Sequence, residues 1–256
     1  MVTLNGIFYN LIIKEALEKC PSSKVGRPRA LSNECALTEF FKILRTGMQW
    51  REVTVKSHYT TLLRRMHLWT REGVFETAYA KAIQTYKKLV PTKFYCVDSS
   101  YVKNAFGREG VGKNHTDRGR KALKLSVNSD HTGMPHGMCC HPGNRPDVCL
   151  FKDSIASMVT AIDEVSIYAD RGYDSKHNRG VCNDNGLKDR IFRRKSKTVR
   201  RTNAKRIVVE HCFAWTHNFR RLLKFYDQTP SLYKSWAFLA YGHLVGGRII
   251  RFRGNV

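Results

Sequence analysis

The chain is short of acids. Its 256 residues carry 21 Asp and Glu against 45 Lys and Arg, which leaves a net charge of +24. A surplus of that size selects a polyanion as partner, and nucleic acid is the first candidate. Long apolar runs are missing too: none approaches the ~18 residues that a membrane span needs, so no membrane partner is expected. The apolar stretch from Met1 to Ile13 has no leading basic residue and no clear small-residue cleavage site, which argues against a secretory signal. Eight cysteines are present, but they form no CxxC pair and no compact framework, so they read as reduced thiols of an intracellular protein. That places it in the cytoplasm, nucleoid-associated, in a bacterium, or in the nucleus of a eukaryotic host. Neither an internal repeat nor a low-complexity tract appears beyond one basic run. With 42% hydrophobic and 26% charged residues, the composition is that of a globular chain able to bury a full core.

The charge is unevenly spread. Residues 1–92 have a net charge of +8, residues 93–187 only +2, and residues 188–256 +14. Most carboxylates therefore lie in the middle third. Between Lys188 and Arg206, ten of nineteen residues are basic, a density that repels itself unless phosphates neutralise it. A solvated basic loop or a localisation signal is the plainer alternative; the density favours nucleic acid. The candidate phosphate contacts are Arg193, Arg194, Lys195, Arg200, Arg201 and Arg206, with Arg220 and Arg221 beyond them. Arg27 and Arg29 form a second group, on an entry arm around Gly26 and Pro28.

Periodicity divides the chain near Pro91. Before it, Ala36, Leu37, Phe40, Phe41 and Leu44 recur at helical spacing behind Ser32 or Asn33 and ahead of Gly47. A second helix is predicted from about Ser57 to Gly73 and a third from Val74 to Leu89. Three short helices fit a helix-turn-helix-like module or any small bundle. After Pro91, Lys93 to Val97 reads as a strand ending at Asp98. Leu123, Leu125 and Val127 alternate with polar residues as a second strand, and Asp130 to Gly133 turns into a hairpin partner. A helix is predicted from Asp147 to about Ile162, a strand from Val165 to Ala169 ending at Asp170, and a helix from Tyr173 to Gly186. A short strand over Lys188 to Phe192 and long helices over 206–224 and 231–250 complete the order. A hairpin-linked sheet followed by β/α alternation is the element order of an RNase H-like domain. The expected organisation is thus a small all-helical DNA-binding domain over 1–91 and an α/β, RNase H-like catalytic domain with a mixed sheet over 92–256, the last carrying the basic C-terminal helices.

Asp98 and Asp170 each follow a predicted strand, where a side chain is rigidly held and faces outward. Glu210 is one of three late acids and lies on an amphipathic helix within the most basic region. Two Asp and one Glu can hold two Mg²⁺ or Mn²⁺ ions about 3.5–4 Å apart for an in-line phosphoryl displacement, because hard cations need anionic oxygens. Plainer readings stand beside each of them. Asp170 can be a turn residue, Asp174 can cap the next helix, and Glu210 can pair with Arg206 at i−4. Other constellations are weaker. The adjacent Cys139 and Cys140, with His136, His141 and Cys149, do not fit closed zinc spacing. Gly107, Gly110 and Gly112 form no P-loop, because Gly-Lys is followed by Asn114. Trp69, Trp215 and Trp236 read as core.

These residues resemble a known family. Gly-Arg-Pro-Arg (26–29), Leu-Arg-Thr-Gly-Met-Gln-Trp-Arg (44–51) and the Trp69 to Phe75 stretch resemble the N-terminal region of the IS5 family of insertion-sequence transposases, of the DDE class. Val-Asp-Ser-Ser (97–100), Thr116 to Gly119, Pro142 to Asp147, Tyr-Ala-Asp-Arg-Gly-Tyr-Asp-Ser (168–175), the 206–215 segment and Phe-Arg-Arg-Leu (219–222) follow in the family's order. The resemblance implies that Asp98, Asp170 and Glu210 are the DDE triad, with 71 and 39 residues between them. It implies two Mg²⁺ (or Mn²⁺), binding of double-stranded DNA at terminal inverted repeats, hydrolysis that frees a 3′-hydroxyl, transfer of that hydroxyl to target DNA, and a homodimer on paired ends. Arg206 stands four before Glu210, as in the family. His217 and Asn203 depart from the related IS4-type signature, which has Lys and Tyr there. A repurposed copy acting only as a DNA-binding protein, or a nuclease without strand transfer, would share much of this pattern.

Overall fold

The computed structural model describes residues 5–22, 28–193 and 203–254. Four helices come first: α1 (Gly6–Lys19), α2 (Asn33–Thr46), α3 (Tyr59–Arg71) and α4 (Val74–Leu89). The strands and helices β1 (Phe94–Asn104), β2 (Gly112–Lys113), β3 (Lys121–Asp130), β4 (Pro135–Pro142), α5 (Phe151–Ala156), β5 (Ser166–Ala169), α6 (Lys176–Asp184) and β6 (Lys188–Ile191) follow. The chain ends with α7 (Asn203–Thr216), β7 (Lys224–Phe225) and α8 (Pro230–Gly254). The sequence predicts α2 to α4 closely. α2 is capped by Ser32, whose hydroxyl accepts from the Cys35 amide, and it ends on Gly47 in the left-handed region at φ 69°. α1 adds a helix to the predicted three: its apolar residues Phe8, Ile12 and Ala16 are buried, and Asn5 caps it by accepting from the Ile7 and Phe8 amides.

The chain forms two compact units. One contains α1 to α4, Asn218–Leu223 and α8. Its centre is Phe40, edge-on to Trp50, Trp69, Phe75 and Trp236 at centroid distances of 5.6–6.3 Å. This corrects the expected boundary, which put everything after residue 92 in one domain. α8 is buried on several sides through Trp236, Leu239, Tyr241, Val245 and Ile249. A helix so covered needs other helices around it, and α1 to α4 supply them. Gly242 marks the close approach, since a Cβ there would overlap the Phe8 ring.

The other unit is a mixed sheet in the order β2-β3-β1-β5-β6, with β4 added to β3 and β7 to β1. β1, β3 and β4 are antiparallel, whereas β1, β5 and β6 are parallel. This is the RNase H-like arrangement expected from the element order. Three local expectations differ. β1 does not end at Asp98 but runs on to Asn104, because β3 pairs with it from Tyr95↔Asp130 to Lys103↔Ala122. α5 stops at Ala156 rather than near Ile162, because Met158 bridges to Gly137 instead. The long helix expected over 206–224 stops at Thr216, and Arg220–Leu222 is a separate 3₁₀ turn.

Phe40 is fully buried among four aromatic rings, and truncating it leaves a cavity they cannot fill. Phe40→Ala is expected to lower unfolding free energy by about 3–5 kcal/mol in a denaturant titration. An unchanged midpoint would contradict this account of the helical core.

Candidate active site

Backbone pairing positions the two Asp residues. β1 and β5 are parallel neighbours with Phe94↔Ser166, Tyr95↔Ile167 and Cys96↔Tyr168 in register. Asp98 and Asp170 each stand two residues beyond the last of these pairs. Side chains alternate along a strand, so each acid shares the face of its paired predecessor. The opposite face, with Tyr95, Val97, Ile167 and Ala169, is sealed into a core by Phe151, Ile155, Tyr173, Val181, Cys182, Leu187 and Ile191. The acids' face carries Cys96 and Tyr168 against Val209 of α7.

Local bonds fix each carboxylate. Asp98 Oδ1 accepts from the Ser99 amide at 2.8 Å, and Oδ2 accepts from Arg206 Nη2 at 3.0 Å. Asp170 has extended backbone (φ −79°, ψ −179°), and its Oδ1 accepts from the Gly172 amide at 2.7 Å, capping the turn Arg171–Tyr173. Burial raises the Asp98 pKa above its ordinary value. The Arg206 guanidinium and the Ser99 amide work the other way, and the Asp170 charge adds to the rise.

α7 is tied to the same face. Cys96 Sγ donates to the Lys205 carbonyl at 3.2 Å, and Lys205 Nζ donates to Tyr168 Oη at 3.0 Å. Burial pushes the Cys96 thiol up to about 12, so it takes no part as a nucleophile. Arg206 reaches Asp98 rather than pairing with Glu210, its neighbour one helical turn on. Glu210 is exposed. Asp98 feels the Asp170 charge, so these two acids lie near each other; among the described residues no three His, Cys, Asp or Glu side chains are gathered for a metal ion, and Glu210 does not complete a set with them.

A third carboxylate near the pair was missed. The sequence presented Asp147 as a helix cap, but its Oδ1 accepts from Ser99 Oγ at 2.5 Å and pairs with Lys124 Nζ at 2.7 Å. The one sequence signal for it was its place at the end of the Pro142 to Asp147 family segment. Lys124 was hidden by the alternation of β3, whose polar positions read as solvent-facing; from Ala122 to Asp130 the strand is buried on both faces.

The predicted phosphate contacts divide. Arg193 and Arg220 are exposed. Arg206 is engaged by Asp98. The Arg29 guanidinium donates to the Cys20 and Pro21 carbonyls at 3.0 and 2.7 Å, closing the end of α1. Arg221 is a correction: it is 5% exposed, with its guanidinium 5.7 and 5.6 Å from the Trp50 and Trp236 ring centres. Two indoles hold it by cation–π attraction, so it is part of the helical core rather than a phosphate contact. Arg27, Arg194, Lys195, Arg200 and Arg201 lie outside the described residues.

The raised Asp98 pKa has a consequence for stability. The folded protein holds that proton more tightly than the unfolded chain, so this group's contribution is greatest at low pH and is lost as pH rises through the folded pKa. Asp98→Asn, which keeps an acceptor for Arg206, is therefore expected to unfold at a higher temperature than wild type at pH 7.5, with the gain vanishing as pH falls below the ordinary carboxyl value of 3.8. A gain that persists unchanged at low pH would contradict it.

No described helix is long and apolar enough to cross a membrane. Comparison with known proteins agrees with the geometry. A family model described as "Transposase DDE domain" matches residues 91–240. Over 149 residues the chain is 30% identical to the "Putative transposase for insertion sequence element IS402" of Burkholderia cepacia, a match covering 54% of this chain and 68% of that protein. Among solved structures, the piggyBac transposase synaptic complex with hairpin DNA is similar in fold, with a TM-score of 0.58 and 10% identity over 99% of this chain and 77% of that one. The chain therefore belongs to the DDE transposase family, whose members are metal-dependent enzymes that cut and join DNA.

Proposed function

We propose that this transposase binds the terminal inverted repeats of an insertion sequence of the IS5 type and acts on them through Asp98, Asp170 and Glu210. The observation that carries the reading is the β1–β5 register, which stands two carboxylates side by side on the face that α7 covers. That donor set fits hard divalent cations: both groups are anionic oxygens, and a cation relieves the burial and mutual repulsion that raise the Asp98 pKa. Two Mg²⁺ (or Mn²⁺) held by these two residues and Glu210 would supply charge stabilisation at phosphorus and lower the pKa of a bound water.

The chain's own groups then have separable tasks. Asp98 and Asp170 are held by the Ser99 and Gly172 amides, so their orientation is set before substrate arrives. Arg206, already at Asp98, is a cation within reach of an incoming phosphate once that carboxylate is otherwise neutralised. The basic segment that includes Arg193, Arg194, Lys195, Arg200 and Arg201, with Arg220, neutralises the DNA backbone. The same in-line geometry serves hydrolysis at the element's end, which frees a 3′-hydroxyl, and attack of that hydroxyl on target DNA; neither step uses a protein nucleophile. The helical unit's arm and α1 to α4 contact the duplex, and a homodimer pairs two ends.

Cleavage of an end-bearing duplex in Mg²⁺ tests the reading. Asp98→Asn, Asp170→Asn and Glu210→Gln should each lower the cutting rate by roughly 10²–10³-fold while leaving duplex affinity nearly unchanged, because several kcal/mol of transition-state stabilisation are at stake. Near-normal cutting by one variant removes that residue from the set. Replacing Arg193, Arg194 and Lys195 together by Ala should weaken binding and flatten the dependence of log affinity on log salt by about 2–3. An unchanged slope removes this segment from the interface.

A further inference from the structure

We propose that Asp147 is a positioning residue for the Asp98–Asp170 pair, holding both carboxylates at the spacing a divalent ion requires. The inference rests on the reading of that pair as the metal centre. Two residues link Asp147 to the pair. Ser99 gives its amide to Asp98 Oδ1 and its hydroxyl to Asp147 Oδ1. Gly172 gives its amide to Asp170 Oδ1, and Asp147 lies against the same glycine: a Cβ there would stand 2.9 Å from Asp170 Oδ1, 3.4 Å from Asp147 Cβ and 3.5 Å from Asp147 Oδ2. Asp147 thus spans the turn that carries one acid and the strand that carries the other.

Its orientation is set by an unusual partner. Lys124 is 3% exposed, and its ammonium bonds Asp147 Oδ1 at 2.7 Å and the Arg145 carbonyl at 3.2 Å, 5.1 Å from the Tyr101 ring centre. Burying an ammonium costs several kcal/mol, and an apolar residue would fill that site of β3 at less cost, so stability does not account for the pair. Geometry does. Lys124 and Ser99 both take Oδ1, which leaves Oδ2 beside Gly172, whose amide holds Asp170 Oδ1. Second-layer carboxylates held in this way orient metal ligands and the water around them.

The test is Mn²⁺ binding by the DNA-free full chain, followed by calorimetry and by electron paramagnetic resonance of free Mn²⁺. Asp98→Asn serves as the control for the pair itself. Asp147→Asn is expected to weaken Mn²⁺ affinity by about 10–100-fold, with metal-free thermal unfolding lowered because Lys124 loses the charge of its partner, and with partial recovery of both in Asp147→Glu. Ser99→Ala, which removes one hydroxyl from the bridge, should weaken it by a smaller factor and decides the matter if Asp147→Asn fails to fold. Wild-type Mn²⁺ affinity in the folded Asp147→Asn and Ser99→Ala variants overturns the proposal. An Asp98→Asn protein that binds Mn²⁺ like wild type shows a different failure: the pair is not the metal centre, and the positioning role falls with it.

Discussion

The parallel ladder between β1 and β5 is the constraint on which the rest depends. Three registered pairs, ending at Cys96↔Tyr168, decide where the next side chains can go. A slip of one residue would send Asp98 to the face occupied by Tyr95 and Val97, which is core. Register is therefore enforced by burial, and the acids inherit a position that apolar packing has already fixed. β3 adds a second restraint. By pairing through Lys103, it carries β1 on past Asp98 instead of letting the strand end there. Asp98 stands opposite Val127 in that ladder, so its backbone is fixed on the β3 side beyond the last pair with β5.

Electrostatics follow from this placement. The chain concentrates its few acids where the fold gathers them: residues 93–187 are nearly neutral within a protein of net charge +24. Burial holds the Asp98 proton above its ordinary pKa, and the neighbouring Asp170 charge adds to the rise. Arg206 partly compensates. Its side chain and the Asp98 side chain are 19% and 22% exposed, so the pair is neither a surface bridge nor a sealed one. Two carboxylates placed in this way cost folding stability, and the basic remainder of the chain supplies attraction for a polyanion at longer range.

Legibility in the sequence varied from residue to residue for physical reasons. Asp98 and Asp170 were legible because each follows a short run of aromatic and apolar residues of strand type, and because the family motifs surround them. Glu210 was legible as a helix acid in a basic region, yet nothing in a 3.6-residue period says how far a helix face stands from a strand end. Arg221 was misread because Arg220-Arg221 looks like a phosphate clamp; its partners Trp50 and Trp236 are distant in the chain, and only the tertiary structure brings them to its guanidinium. α8 was assigned to the wrong unit on similar grounds, since its periodicity records that it is buried but not against which helices. Lys124 was not legible because alternation in β3 implies one wet face, whereas this strand has none over most of its length; Asp147 reads as a helix cap because its partners Ser99 and Lys124 are distant in the chain.

Diffraction from crystals of the protein grown with Mn²⁺ and end-bearing DNA, recorded at a wavelength where manganese scatters anomalously, tests the central claim most directly. The expected result is an anomalous peak within ligand distance of both the Asp98 and Asp170 carboxylates, with Arg206 displaced from Asp98 and Glu210 drawn in. An ion bound away from these two strands, or Asp98 still held by Arg206 beside an empty position in a complex that cuts its DNA, would contradict it.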